Sequence, residues 1–274
     1  MKFEITDLLQ CPKCGGKIND KLACILCSER YSIEGGIYNF VIRNELKEAE
    51  NFSDKLAKKI QEIGLKKLQK EYQKYINEDS RRAKEIAGMN LQKHLKGVKG
   101  VTIDLATGLS GAFPVLLHIP NVIPIATDIS LDILKILKER ISSIEKDHYF
   151  IACDAKNMPF MDSVIDNIIS VGGLSNIPEP CKALSECYRV LDDNGEIISV
   201  QIFVEEGSES AERAREFKVY KSWIKSEFEQ EIKNVGFREC KIDVVSSAII
   251  SENPYDELTV AGDKQYYAII RAAK

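Results

Sequence analysis

Three short apolar runs, each closing on an aspartate, constrain the fold of this chain more than anything else in it. Val101-Thr102-Ile103-Asp104-Leu105 comes first. Val122 to Thr127 with Asp128 and Tyr149 to Cys153 with Asp154 follow. Each run is rich in β-branched or aromatic residues and is bounded by small or polar ones, the pattern of a buried strand. Helical patterns separate them. One helix carries Pro114 in its first turn. The next is capped by Ser130 and sets Leu134, Leu137, Ile141 and Ile144 in one stripe. A fourth strand at Ile165 to Val171, a helix at Cys181 to Leu191, a turn at Asp192-Asp193-Asn194-Gly195 and a fifth strand at Glu196 to Phe203 continue the alternation. The expected fold class is α/β, a doubly wound, mainly parallel sheet that binds its ligand at the carboxyl edge.

The first strand runs into Ala106-Thr107-Gly108-Leu109-Ser110-Gly111. Small residues at a strand-to-helix turn let a ligand approach the backbone. Asp128 stands 24 positions after Asp104, a distance that suits an acid on ribose hydroxyls. The spacing of Gly108 and Gly111 does not make the dinucleotide G-x-G-x-x-G fingerprint.

A second signal lies at the N-terminus. Cys11-Pro12-Lys13-Cys14 and Cys24-Ile25-Leu26-Cys27 are two C-x-x-C pairs, with Gly15-Gly16 after the first. Four thiolates close a tetrahedral zinc shell and leave no open position, so the expected metal site (Cys11, Cys14, Cys24, Cys27) is structural. Between the two signals, 45–96 holds no proline. Leu56, Ile60, Ile63, Leu68, Tyr72, Tyr75 and Ile76 recur at helical spacing among many lysines, and a second helix is expected over Ser80 to Leu95. The lysines fit a solvated face, or a basic helix that touches nucleic acid or shapes a substrate lid.

The net charge of −4 conceals +6 over residues 1–100 and −10 over 101–274. That basic excess permits RNA contact without requiring it. The longest uncharged stretch, 105–127, is interrupted by Pro114, Pro120 and Pro124, so membrane insertion is not expected. With no signal-peptide pattern and a free-thiol zinc motif, a cytoplasmic location is expected.

Asp104-x-Ala106-x-Gly108, Asp128, Asp154-Ala155 and Tyr188-Arg189-Val190-Leu191-Asp192-x-x-Gly195 resemble the class I S-adenosylmethionine (SAM)-dependent methyltransferases over about 80–274. Gly173-Leu174-Ser175-Asn176-Ile177-Pro178 looks most like the ubiquinone/menaquinone-type C-methyltransferases. The segments around Leu8–Gly16 and Tyr31–Phe40 are similar to zinc ribbons that partner or precede RNA and release-factor methyltransferases. The resemblance implies a seven-stranded Rossmann-like sheet with an antiparallel edge near Lys241–Val245 and Tyr266–Arg271. A helix at Ser226 to Val235, with a Ser226/Glu229 capping box and a Gly236-Phe237 close, precedes that edge.

The resemblance also implies roles. Asp104 would lie near the SAM ammonium, with Ala106, Thr107 and Gly108 passing the methionine part. Asp128, with Ile129 beside it, would accept the ribose hydroxyls. Asp154 and Ala155 would meet adenine, and Ser170 and Val171 would floor the methyl donor. Ala106 and Ser110 stand where the family usually has glycine. The implied organisation is a zinc ribbon (1–43), a helical connector or cap (44–97) and a SAM-binding domain (98–274). The expected activity is methyl transfer to a small-molecule acceptor. RNA is an alternative acceptor, and a non-catalytic scaffold is the rival from another class. No catalytic base stands out. His94, His118 and His148 read as surface or core, and Cys153, Cys181, Cys187 and Cys240 as small apolar residues. Tyr220 and Trp223 suit an acceptor wall and the core equally.

Overall fold

The computed structural model describes residues 4–42, 52–109 and 111–274. Among them one mixed sheet runs through β1 (Ser32–Glu34), β2 (Ile37–Asn39), β3 (Gly100–Asp104), β4 (Val122–Asp128), β5 (Tyr149–Ala152), β6 (Ile165–Val171), β7 (Leu191–Val204), β8 (Glu239–Ile249) and β9 (Lys264–Ala273). Its order is β1-β2-β5-β4-β3-β6-β7-β9-β8, with β5, β4, β3, β6 and β7 parallel and β9 and β8 antiparallel at one edge. The helices are α1 (Phe52–Ile63), α2 (Leu65–Lys74), α3 (Glu78–Leu95), α4 (Phe113–Leu116), α5 (Leu131–Arg140), α6 (Pro180–Val190), α7 (Glu209–Glu216), α8 (Tyr220–Trp223) and α9 (Lys225–Val235).

The seven expected strands are present, and two more extend the sheet. The hairpin β1–β2 follows the cysteine pairs and adds β2 in parallel to β5, with Tyr38 opposite Ile151 and Asn39 opposite Ala152. Further backbone bonds strap the N-terminal segment down. Gln10 N donates to Pro159 O at 2.9 Å, Met161 N to Leu8 O at 2.9 Å and Phe40 N to Ala152 O at 2.8 Å. Ile5, Leu9, Ile18, Leu22 and Phe40 share one buried cluster with Ile151, Met158 and Phe160. Burial of those side chains ties the cysteine-rich segment to the edge that supports Asp154.

The sheet faces are covered as the apolar stripes require. Ala83, Ala87, Leu91 and Leu95 of α3 pack on Ile169, Ile198 and Ile269. Ala183, Leu184 and Cys187 of α6, with Phe228 and Ile232 of α9, belong to the cluster of Ile168, Ile197 and Ile270. The connector is helical as expected but breaks at Gly64, and Asn77 Oδ1 caps α3 by accepting Ser80 N at 2.7 Å.

Two local expectations are corrected. The Ser226/Glu229 capping box does not form. Ile224, buried beside Trp223, takes the N-cap position with extended backbone, so α9 starts at Lys225 and Ser226 falls inside its first turn. Glu229 instead pairs with Lys233 at 2.9 Å. Packing of Ile224 outranks the local cap signal. Gly236 does close α9, at φ 112°. The expected turn at 192–195 lies within β7 as an irregularity, where pairing shifts register between Ile165 and Asn167. Asp192 Oδ1 holds it by accepting Asn194 N at 2.8 Å.

Candidate active site

The carboxyl ends of β3 and β4 lie side by side, with Asp104 opposite Ala126, and the loop 105–112 leaves from between them. Asp104 is fully buried. Its Oδ2 accepts Thr107 Oγ1 and, at 2.9 Å, Phe113 N. Among the described residues its Oδ1 has no hydrogen-bond partner. Burial pushes the carboxyl up to about 6, although the Thr107 hydroxyl and the Phe113 and Ala112 amides pull the other way. A buried, half-satisfied carboxylate suits a cationic or multiply donating ligand group at its second oxygen.

Asp128, 3% exposed, accepts Ser130 N on Oδ1 and Gly108 N on Oδ2, each at 3.0 Å. Ser53 at the start of α1 adds a third donor through its hydroxyl. Desolvation still holds the Asp128 pKa above the usual carboxylate range. The loop between the two acids is fixed by its own backbone. Thr107 N donates to Thr127 O at 2.9 Å, and Ala106 adopts φ 49°. The position where glycine is usual in the resembling family thus has left-handed backbone, and Ala106 carries the strain of a non-glycine residue there, on the order of 1 kcal/mol. Gly111 is required sterically. A Cβ on it would lie 2.4 Å from Asp104 Oδ2 and 2.7 Å from Thr107 O. Ser110 lies outside the described residues.

Asp154 stands just past the end of β5, partly exposed. Its Oδ1 accepts Lys156 N at 2.9 Å, and Lys156 Nζ lies 3.9 Å from Oδ2. Ala155 and Ile129 are half-buried beside the two acids. Ser170 is fully buried and saturated, donating to Leu105 O at 3.1 Å and accepting Leu174 N at 2.9 Å. It locks the end of β6 to the loop. Val171 is half-buried on the sheet face covered by α3. The geometry therefore gathers Asp104, Ala106, Thr107, Gly108, Asp128 and Ile129 at one strand-to-helix crevice, with Asp154 and Ala155 at the next strand end.

Sequence reasoning missed Ser53, which lies in the segment expected as a helical connector or cap. Ala57, Ile60 and Leu68 of α1 and α2 bury against Ile133 of α5, with Leu109 and Tyr255 at the margin. Phe52 stacks on Phe217 at 5.7 Å, and Lys59 Nζ lies 4.2 Å from the Tyr255 ring centroid. Trp223 is core. It is 2% exposed, and its Nε1 donates to Ser175 O at 2.9 Å.

The four N-terminal sulfurs also converge. Cys14 and Cys24 Sγ are 3.4 Å apart, Cys11 and Cys27 Sγ 3.7 Å, and all four lie within 4.8 Å of one another. The tetrahedral edge for a zinc–sulfur bond of about 2.3 Å is about 3.8 Å, so the donor set fits that ion. Tyr31 Oη lies 3.0 Å from Cys11 Sγ and can orient that ligand.

Residues 103–199 match the family described as a methyltransferase domain. The chain carries a methyltransferase domain over these residues. The matched segment of that domain runs from β3 into β7 and contains both buried acids. Over 74 residues, 27% of this chain and 28% of the relative, it is 42% identical to a demethylmenaquinone methyltransferase of Paenarthrobacter aurescens. Over 99 residues, 36% of each protein, it is 32% identical to a malonyl-[acyl-carrier protein] O-methyltransferase of Marinomonas sp.. The chain thus spans well under half the length of these curated relatives. Among solved structures, the phosphoethanolamine N-methyltransferase 2 of Haemonchus contortus in complex with SAM shares the fold with a TM-score of 0.58. It is 18% identical, and the match covers 83% of this chain and 61% of that one.

Proposed function

We propose that the chain is a SAM-dependent methyltransferase of a small-molecule acceptor, stabilised by a structural zinc ribbon at Cys11, Cys14, Cys24 and Cys27. The observation that carries this reading is the pair of buried acids. Asp104 has one carboxylate oxygen without a partner among the described residues, Asp128 accepts from Gly108 in the loop after β3, and the two sit on adjacent strands. A sulfonium-bound methyl is the group that SAM supplies. Asp104 Oδ1 would take the cofactor ammonium, and Asp128 would accept ribose hydroxyls. The Ala106–Gly108 backbone would bear on the methionine part, and Asp154 with Ala155 on the adenine edge. Methyl transfer is an in-line displacement at carbon, so the residues act chiefly by positioning and by excluding water. The covering helices α1 and α2 supply the exclusion. The curated relative named for demethylmenaquinone supports a small-molecule acceptor here. Among the described residues no helix is long and apolar enough to cross a membrane.

Incubation of the purified chain with methyl-labelled SAM and a fractionated cell extract tests the acceptor class. Label is expected in the low-molecular-mass, solvent-extractable fraction. Label confined to RNA or to precipitated protein would overturn the small-molecule assignment.

Ser53 gives a second expectation. Its hydroxyl occupies one acceptor site of the Asp128 carboxylate, where ribose hydroxyls would compete for it. Ser53→Ala is expected to tighten SAM binding roughly three- to tenfold, the value of one hydrogen bond. Weaker binding in calorimetric titration would instead make Ser53 part of the cofactor seat.

A further inference from the structure

The sheet ends in a long strand with one open side. β8 has 11 residues and, among the described residues, pairs only with β9 at the end of the strand order. The opposite edge strand, β1, has three residues. A row of unpaired amides and carbonyls along so long an edge is a template for another strand.

Two features confine the open stretch to the first half of β8. Ser246 Oγ donates to Ala83 O of α3 at 2.7 Å, and Asn77 Nδ2 donates to Ile249 O at 2.8 Å, so α3 occupies the second half. The pairing with β9 shifts register between Val244 and Ser246, a bulge that separates the halves. Residues 239–245 remain, with Glu239, Lys241, Asp243 and Val244 exposed.

The charges on this stretch are poorly served within one chain. Side chains alternate between faces, so Lys241 and Asp243 share the face of Arg271 and Ile269, their partners on β9. Lys241 stands directly opposite Arg271, and like charges so placed repel. Arg271 has an acid of its own, Glu196 at 2.6 Å. Neither Lys241 nor Asp243 has an ion-pair partner among the described residues. A lysine alone on an edge would repel any added strand. With Asp243 two positions on, the stretch complements itself instead.

The register of that complement follows from the sequence. An antiparallel copy centred on Ile242 sets each Lys241 opposite the partner's Asp243. On the other face Ile242 meets its own copy, and Cys240 meets the partner's Val244, which is 46% exposed in the single chain. Centring on Lys241 would set Glu239 against the partner's Asp243. Centring on Cys240 would run Val244 past the start of the partner strand, to Gly236, where α9 closes.

We propose that β8 is a homodimer interface, in which residues 239–245 pair antiparallel with the same residues of a second copy. The two-fold axis stands normal to the sheet, and one sheet runs through both copies. That axis points the two carboxyl edges in opposite directions, so both cofactor crevices stay open.

Sedimentation of the full zinc-loaded chain across about 1–100 μM is the test, and a dimer is expected within that range. Asp243→Lys sets Lys241 against a lysine, and Lys241→Asp sets Asp243 against an aspartate. Each is expected to raise the dissociation constant roughly tenfold or more. The double reversal, Lys241→Asp with Asp243→Lys, restores both pairs in the same register and should return the affinity to that of the wild type. Melting temperatures should change little, because both side chains are exposed. A monomeric wild type, a dimer that survives either single reversal, or a double reversal that stays monomeric overturns the proposal.

Discussion

Asp104→Asn is expected to stabilise the free protein at neutral pH while weakening its hold on SAM. The Asp104 pKa, about 6, lies above the ordinary 3.8. Between those values the folded state binds more protons than the unfolded state, so stability falls as pH rises through this window. A shift of that size corresponds to about 3 kcal/mol once the group is fully ionised. Asparagine keeps an oxygen for Thr107 and Phe113 but never ionises. Its melting temperature should therefore exceed that of the wild type by about 5–10 °C at pH 8 and converge with it near pH 4. SAM affinity should drop roughly ten- to a hundredfold, because a charged partner for the ammonium is gone. In the wild type, SAM affinity should itself decline below about pH 6, and the variant should lose that dependence. Melting curves and calorimetric titrations across pH 4–8 check both halves. A variant less stable than the wild type at pH 8 would make Asp104 a structural acceptor only.

Stripping the metal from the cysteine cluster carries the second large effect. Structural zinc sites contribute on the order of 10 kcal/mol to the folding of the segment that holds them. Here that segment shares its core with Ile151, Met158 and Phe160 and adds β2 to the edge of the sheet. Its loss should therefore spread into the methyltransferase domain. Metal analysis is expected to give one zinc per chain. A strong chelator, or Cys24→Ser, should lower the melting temperature by about 10 °C or more. Amide protection should be lost over residues 5–40 and also over 149–161, and with it part of the support for Asp154. Full zinc removal with unchanged protection at 149–161 would show that the ribbon and the domain are energetically separate.

Those two sites were legible in the sequence because their signals are local. A β-branched run closing on an acid, and paired cysteines two apart, each describe a complete piece of geometry. The strands at 101–105, 122–128, 149–153 and 165–171 lie within a residue of expectation for that reason. What the sequence concealed depends on contacts between distant segments. Nothing local marks Ile37–Asn39 as a parallel partner of β5. Nothing in Phe52-Ser53-Asp54 shows that a hydroxyl will reach Asp128 across 75 residues of chain. The missing cap at Ser226 has the same origin, since burial of Ile224 decides where α9 begins.

The central claim is that Asp104 and Asp128 form a SAM site, and calorimetric titration of the zinc-loaded chain with SAM and S-adenosylhomocysteine tests it most directly, with NADH as the control. Micromolar binding of both sulfur ligands is expected. Asp128→Ala should weaken it roughly a hundredfold, through loss of two charge-assisted hydrogen bonds. NADH should not bind. Absence of binding by SAM and S-adenosylhomocysteine to a folded, zinc-loaded chain, or affinity unchanged in Asp128→Ala, would contradict the account.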